Sequence, residues 1–230
     1  MAGKSALIIG ASRGLGYALA AEFLRRGWQV TATERTPSAL HELAGSAEGR
    51  LTVETVDIAV PGQVAALRER LAGSTFDLLF VNAGTNYTTD PAATFADVST
   101  EDFVQVMVTN ALSPMRAVET LRDLVPATGT IGVMSSGQGS VADNTNGGFE
   151  VYRASKSALN QLMRSYAARH ADDPRTLLLM APGWVKTDLG GPRARLTIDE
   201  SIPGVADTIE AWAGKGGLQY LDRQGQTVNW

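Results

Sequence analysis

Ser5-Ala6-Leu7-Ile8-Ile9-Gly10-Ala11-Ser12-Arg13-Gly14-Leu15-Gly16 is the stretch on which the reading of this chain turns. Ser5–Ile9 is a short apolar run with the length and β-branched content of a strand, and it stops at a glycine. Beyond Gly16 the apolar residues Leu19, Phe23 and Leu24 recur at helical spacing. Strand, glycine loop and helix, in that order, form the setting in which a glycine motif becomes a dinucleotide-binding turn. Gly10 permits the tight turn, Gly14 lets the backbone approach a pyrophosphate, and Gly16 lets helix and strand pack closely. The helix N-terminus adds free N–H groups and the positive end of its dipole. Three residues separate the first two glycines and one the last two, unlike Gly-x-Gly-x-x-Gly, so a plain strand-to-helix turn is the alternative.

Working outward, short apolar runs alternate with helical patterns. Strands are predicted at Ala6–Ile9, Gln29–Thr33, Leu51–Val56, Asp77–Val81, Thr130–Ser135, Thr176–Met180 and Leu218–Leu221. Helices are predicted near Leu15–Arg26, Ser38–Ala44, Pro61–Leu71, Thr100–Leu124, Val151–His170 and Val205–Ala213. Strands apolar nearly throughout suit a parallel sheet covered on both faces. The expected fold is α/β, a single-domain Rossmann-type doubly wound sheet of about seven strands over residues 1–230, binding ligand at the carboxyl ends of its strands.

The composition sets the outer limits. A chain of 230 residues can bury a sizeable core as one domain, and 44% apolar content is ordinary for a globular protein. A net charge of −4 without a long basic run argues against nucleic acid or an anionic membrane as partner. The absence of cysteine excludes disulfides and thiolate metal sites and suits a cytoplasmic protein. His41 and His170 lie far apart in predicted helices among polar residues, a surface reading that leaves no metal site. The first apolar run is too short, and too soon broken by Gly10 and Arg13, for a signal peptide or a span.

Chemistry gathers at the predicted strand ends. Strand three ends in Asp57-Ile58, a place for an adenine, and strand four in Asn82-Ala83-Gly84, small residues that let a ligand approach. Strand five ends in Ser135-Ser136, and strand six in Pro182-Gly183-Trp184-Val185-Lys186-Thr187. In Tyr152-Arg153-Ala154-Ser155-Lys156 a phenol and an ammonium stand four apart on a helix face. A fixed cation nearby is expected to lower the tyrosine pKa and make it a usable acid or base.

Gly10-x-x-x-Gly14-x-Gly16, Asn82-Ala83-Gly84, Asn110, Ser136, Tyr152 and Lys156, in that order, resemble the motif set of the short-chain dehydrogenase/reductase family over essentially the whole chain. Ile9 stands where the family often has threonine. The stretch Ser140–Gly148, the run Pro182–Asp188 and the terminal Val228-Asn229-Trp230 look like its C-factor and sniffer-type carbonyl reductase branch. The resemblance implies an NAD(P)(H)-dependent oxidoreductase acting on a small carbonyl or alcohol. Tyr152 would be its acid/base, with Lys156 beside it and on the nicotinamide ribose, Ser136 on the substrate oxygen and Asn110 anchoring a water. It implies a cofactor site of Gly10, Ser12, Arg13, Gly14, Leu15, Gly16, Arg35, Asp57, Ile58, Asn82, Ala83, Gly84, Tyr152, Lys156, Pro182, Gly183, Val185 and Thr187. C-factor-like proteins are associated with signalling, so a cofactor-binding signal protein is the alternative.

Ser135 is the second candidate for the serine role, because a one-residue slip reverses a strand's face, and Ser140 the third. Glu34, at the end of strand two, suits a ribose 2′-hydroxyl and hence NAD(H). Arg35 and Arg13 suit a 2′-phosphate, so NADP(H) is the preferred cofactor and NAD(H) the other. Leu189–Ile202 reads as a polar lid with Arg193 and Arg195 solvated, and Trp184 and Tyr87 could wall an apolar pocket. Pairing of the two long helices predicts a homodimer, with monomer or tetramer open; Ala154, Ala158, Leu159, Leu162 and Met163 are the apolar residues offered.

Overall fold

The computed structural model describes residues 3–88 and 90–230. In chain order the elements are β1 (Ser5–Ile9), α1 (Gly14–Arg25), β2 (Gln29–Glu34), α2 (Leu40–Ser46), β3 (Leu51–Thr55), α3 (Pro61–Arg70) and β4 (Leu78–Val81). Then follow α4 (Thr100–Met107), α5 (Ser113–Leu121), β5 (Thr130–Met134), α6 (Glu150–Arg169), β6 (Thr176–Ala181), α7 (Ile198–Trp212) and β7 (Gly217–Asp222). All seven strands run parallel in the order β3-β2-β1-β4-β5-β6-β7. The order reverses between β1 and β4, which opens a crevice above their carboxyl ends.

Alternate strand residues face opposite layers. Leu7, Leu79 and Leu179 pack against α3, α5 and α6, and Ile8, Phe80 and Leu178 against α1 and α7. Both layers are apolar and fully covered, as a parallel sheet requires. Among the described residues no helix is long and apolar enough to cross a membrane.

Three elements differ from the sequence reading. The predicted helix Thr100–Leu124 is helical throughout but not uniform: α4 passes through a π-helical turn, Val108–Leu112, into α5. Pro114 has no N–H to return to the Asn110 carbonyl four residues back, which loosens the ladder at that place. The last helix starts at Ile198, not Val205, because Thr197 and Glu200 form a reciprocal capping box. Pro203 inside that helix hid its first turns from the sequence. The apolar face of α6 is also divided: Leu159 and Met163 are fully buried on the sheet, whereas Leu162 is exposed.

Candidate active site

The glycine loop is built by contacts that leave no room for side chains. Gly10 has φ +84°, and a Cβ there would lie 2.8 Å from the Cβ of Ala83. A Cβ on Gly16 would lie 2.2 Å from the carbonyl oxygen of Gly10. Asn82 donates from Nδ2 to that same carbonyl at 2.8 Å, so the β4 end stitches the loop from below. Thr33 of β2 accepts from the Gly10 N–H at 2.9 Å. α1 then begins with no side-chain cap on Arg13 and no acidic residue in its first turn, leaving its first N–H groups and dipole free for an anion. Ser12 is half-buried in the loop and Leu15 packs against the α1 core.

Across the crevice stand the side chains at the β5 end. Ser136 stands next to the phenol of Tyr152, whose pKa it lowers, and accepts from the Gln138 N–H at 3.1 Å. Ser135 is buried and donates to Asn160 Oδ1 at 2.6 Å, and Ser140 is buried and accepts from the Asp143 N–H. Of the three serines considered, Ser136 is thus the one that meets Tyr152. Lys156 is 2% exposed; its Nζ donates to the Met134 carbonyl at 2.9 Å and lies 5.8 Å from the centre of the Tyr152 ring. Gly84 lies alongside it: a Cβ there would be in ordinary contact with that Nζ at 3.6 Å.

Electrostatics correct one sequence expectation. The phenol of Tyr152 is pushed up to about 12, not down, by burial above all, with neighbouring Ser136 working the other way. Burial also pushes the Lys156 ammonium down to about 8. A cation itself held in low dielectric, and bonded to a carbonyl rather than the phenol, does not offset the tyrosine's own desolvation.

Asn110 is fully buried and uses its whole side chain: Oδ1 accepts from the Thr85 N–H, while Nδ2 reaches the Thr85 carbonyl and Ser155 Oγ. Ser155 in turn donates to the Tyr152 carbonyl at 2.7 Å. Tyr220, on β7 and 1% exposed, donates its hydroxyl to the Ser136 carbonyl. Trp230 stacks on Tyr220 and its carbonyl takes the Ala142 N–H, while Asn229 bonds Asp143. The long loop before Tyr152 is pinned by the chain's last residues. Sequence reading passed over Ser155, Asn160 and Tyr220; their bonds to Asn110, Ser135 and Ser136 join segments far apart in the chain, and no local pattern marks them.

The remaining candidates are scattered around the crevice. Arg13 pairs with Asp188 of the loop after β6, and Arg35 is exposed with no ion pair among the described residues. Asp57 caps its own turn by accepting from the Ala59 N–H, and Ile58 is buried in the core beside α3. Gly183 has φ +86°, Val185 is buried, and the Pro182 carbonyl accepts from Ser201. Thr187 accepts from the Gly190 N–H, and a Cβ on Gly14 would touch its methyl at 3.7 Å. Trp184 is exposed, though its Nε1 donates to the Gly190 carbonyl; Arg193 and Arg195 are exposed. His41 is not idle on the surface, since its ring bonds buried Glu34, and half-buried His170 stacks on Tyr166.

The sequence profile of the short chain dehydrogenase family matches residues 4–195. The chain belongs to that family. This short-chain dehydrogenase is similar along 99% of both chains to a crystal structure of a Burkholderia multivorans short-chain dehydrogenase/reductase with bound NADP, at 59% identity and a TM-score of 0.96. It also resembles the carbonyl reductase Sniffer of D. melanogaster, at 26% identity and TM-score 0.87 over 99% of this chain and 100% of that one. The protein C-signal of Myxococcus xanthus is 33% identical over 67% of the dehydrogenase and 92% of its own length.

Proposed function

We propose that this short-chain dehydrogenase reduces a small aldehyde or ketone with NADP(H). The observation that carries the reading is the meeting of Ser136, Tyr152 and buried Lys156 across the crevice from an uncapped α1 N-terminus. The free N–H groups and the glycine cradle suit a pyrophosphate, Arg35 and Arg13 suit a 2′-phosphate, and the β3, β4 and β6 ends surround the rest. The NADP bound to the similar Burkholderia multivorans protein supports that choice.

Bound NADP(H) supplies the hydride. Ser136 holds the substrate oxygen through its hydroxyl. The Tyr152 phenol, kept protonated by its burial, hands its proton to that oxygen as the alcohol forms. Lys156 places a positive charge near the phenolate left behind and within reach of the nicotinamide ribose. The Asn110 carbonyl, freed by Pro114, holds a water that links Lys156 to solvent. Two copies pair through the groove between the α4–α5 unit and α6, where Leu112 and Leu162 are exposed together.

The test is a fluorescence titration with NADPH and NADH, followed by a panel of carbonyl compounds. NADPH bound in preference, with carbonyl-dependent NADPH oxidation lost in Tyr152→Phe, supports the reading; binding of neither dinucleotide defeats it. The likeness to C-signal favours one other reading, a dinucleotide-binding signal protein, for which Tyr152→Phe would keep signalling intact.

A further inference from the structure

The end of β2 presents a carboxylate at the place where the adenosine ribose is expected, yet that carboxylate is not free. Glu34 is 2% exposed, and both its oxygens are taken by the chain itself. His41 Nε2 lies 2.7 Å from Oε1, and Ser38 donates its hydroxyl to Oε2 at 2.5 Å. An ionised carboxylate can only accept, so the imidazole nitrogen is the donor. Ser38 further accepts from the Leu40 N–H at 3.3 Å, so the group that holds Glu34 is itself fixed to the first turn of α2. Next along the chain Arg35 is exposed, with no ion pair among the described residues.

We propose that Ser38 and His41 are specificity-positioning residues: they turn Glu34 into the body of the protein and so leave the ribose pocket to Arg35. The inference rests on the dinucleotide reading above. A carboxylate facing the pocket would accept from a 2′-hydroxyl and repel a 2′-phosphate. One whose acceptors are consumed inside the protein does not bond the 2′-hydroxyl, since a buried carboxylate gives up its hydrogen bonds only at a high desolvation cost. Glu34 in this chain ties α2 to the sheet, and the acidic residue at the β2 end does not select NAD(H).

The experiment measures dissociation constants for NADPH and NADH by nicotinamide fluorescence, with a thermal melt of each variant to show that it folds. Glu34→Gln keeps the shape and loses the charge; the NADH constant should stay within about twofold of wild type, because a carboxylate turned into the protein has no bond to the 2′-hydroxyl to lose. The double variant Ser38→Ala with His41→Ala should release the carboxylate and shift the NADPH-to-NADH preference by about tenfold towards NADH, the size of one charge-assisted hydrogen bond. A purely structural role would weaken both dinucleotides alike. His41→Gln, which retains a donor, should restore the wild-type ratio. Tenfold weaker NADH binding in Glu34→Gln, an unchanged ratio in the double variant, or a wild-type preference for NADH overturns the inference alone. A wild-type protein that binds neither dinucleotide removes the functional reading and this inference with it.

Discussion

The β1–α1 unit and the β5–α6 unit both deliver chemistry to one crevice, but they do so with different parts of the chain. At the β1–α1 turn the backbone is the instrument: positive-φ glycines, a loop carbonyl bonded to Asn82, and N–H groups at a helix start. At β5–α6 side chains are the instrument, half-buried Ser136 and Tyr152 with buried Lys156, and their properties are set by what surrounds them. The difference lies in what each tolerates. A backbone site fails when anything is added to it, whereas a side-chain site fails when one polar atom is removed or its burial changes. The π-helical turn at Asn110 and the strap at Trp230 both serve the second site, which needs support from distant segments that the first does not.

The contrast can be broken most severely at the phenol. Tyr152→Phe should lower carbonyl-dependent NADPH oxidation about a thousandfold, the range for losing a positioned proton donor, and leave NADPH affinity near wild type. Equal loss of both would mean that the two units cannot be separated.

Adding a single methyl to the backbone site should come next. Gly16→Ala places a Cβ 2.2 Å from the Gly10 carbonyl, so we expect a loss of about 3 kcal/mol in denaturant unfolding, with NADPH binding abolished. Gly14→Ala meets nothing closer than 3.7 Å and suffers only from its φ of +57°, so it should lose about 1 kcal/mol. Should the two behave alike, crowding at the loop is not what distinguishes them.

Lys156 sharpens the comparison through pH. Its ammonium titrates near 8 in the fold against an ordinary 10.5, so between those values the unfolded chain holds a proton that the folded chain has released. Stability therefore rises with pH across that window, and falls as pH drops towards 8. Lys156→Met should flatten this slope and, at pH 7, raise the stability of the ligand-free protein by about 1–3 kcal/mol while stopping turnover. A variant less stable than wild type at pH 7 would show that the Met134 contact outweighs the burial of the charge.

The smallest effect belongs to the strap. Tyr220→Phe deletes one hydroxyl behind Ser136 and should reduce stability by about 1 kcal/mol. Turnover should drop severalfold with KM unchanged, because only the serine's placement is disturbed. A change confined to KM would place Tyr220 in substrate binding instead.

Much of this was legible from residue order because it depends on local rules. Ser5–Gly16 specifies strand, loop and helix without reference to the rest of the chain, and Tyr152 with Lys156 needs only the helical period. The start of α7 was missed: Pro203 led the reading to begin that helix at Val205, although Thr197-x-x-Glu200 caps it at Ile198. Ser135 and Ser136 could not be told apart in this way, since adjacent strand residues face opposite sides and only the packed sheet shows which.

Taken alone, the sequence determined the alternating α/β order, the glycine turn, the Tyr152–Lys156 pair and the family to which they point, all consequences of periodicity and steric rules within a few residues. Tertiary structure decided what those groups are chemically. It turned Ser136 towards the phenol and Ser135 away, bound Glu34 to Ser38 and His41, and brought Tyr220 and Trp230 behind the serine. It also reversed the expected shift of Tyr152. Burial and long-range hydrogen bonds act between residues far apart in the chain, and they, more than residue identity, set the free energy of a charge.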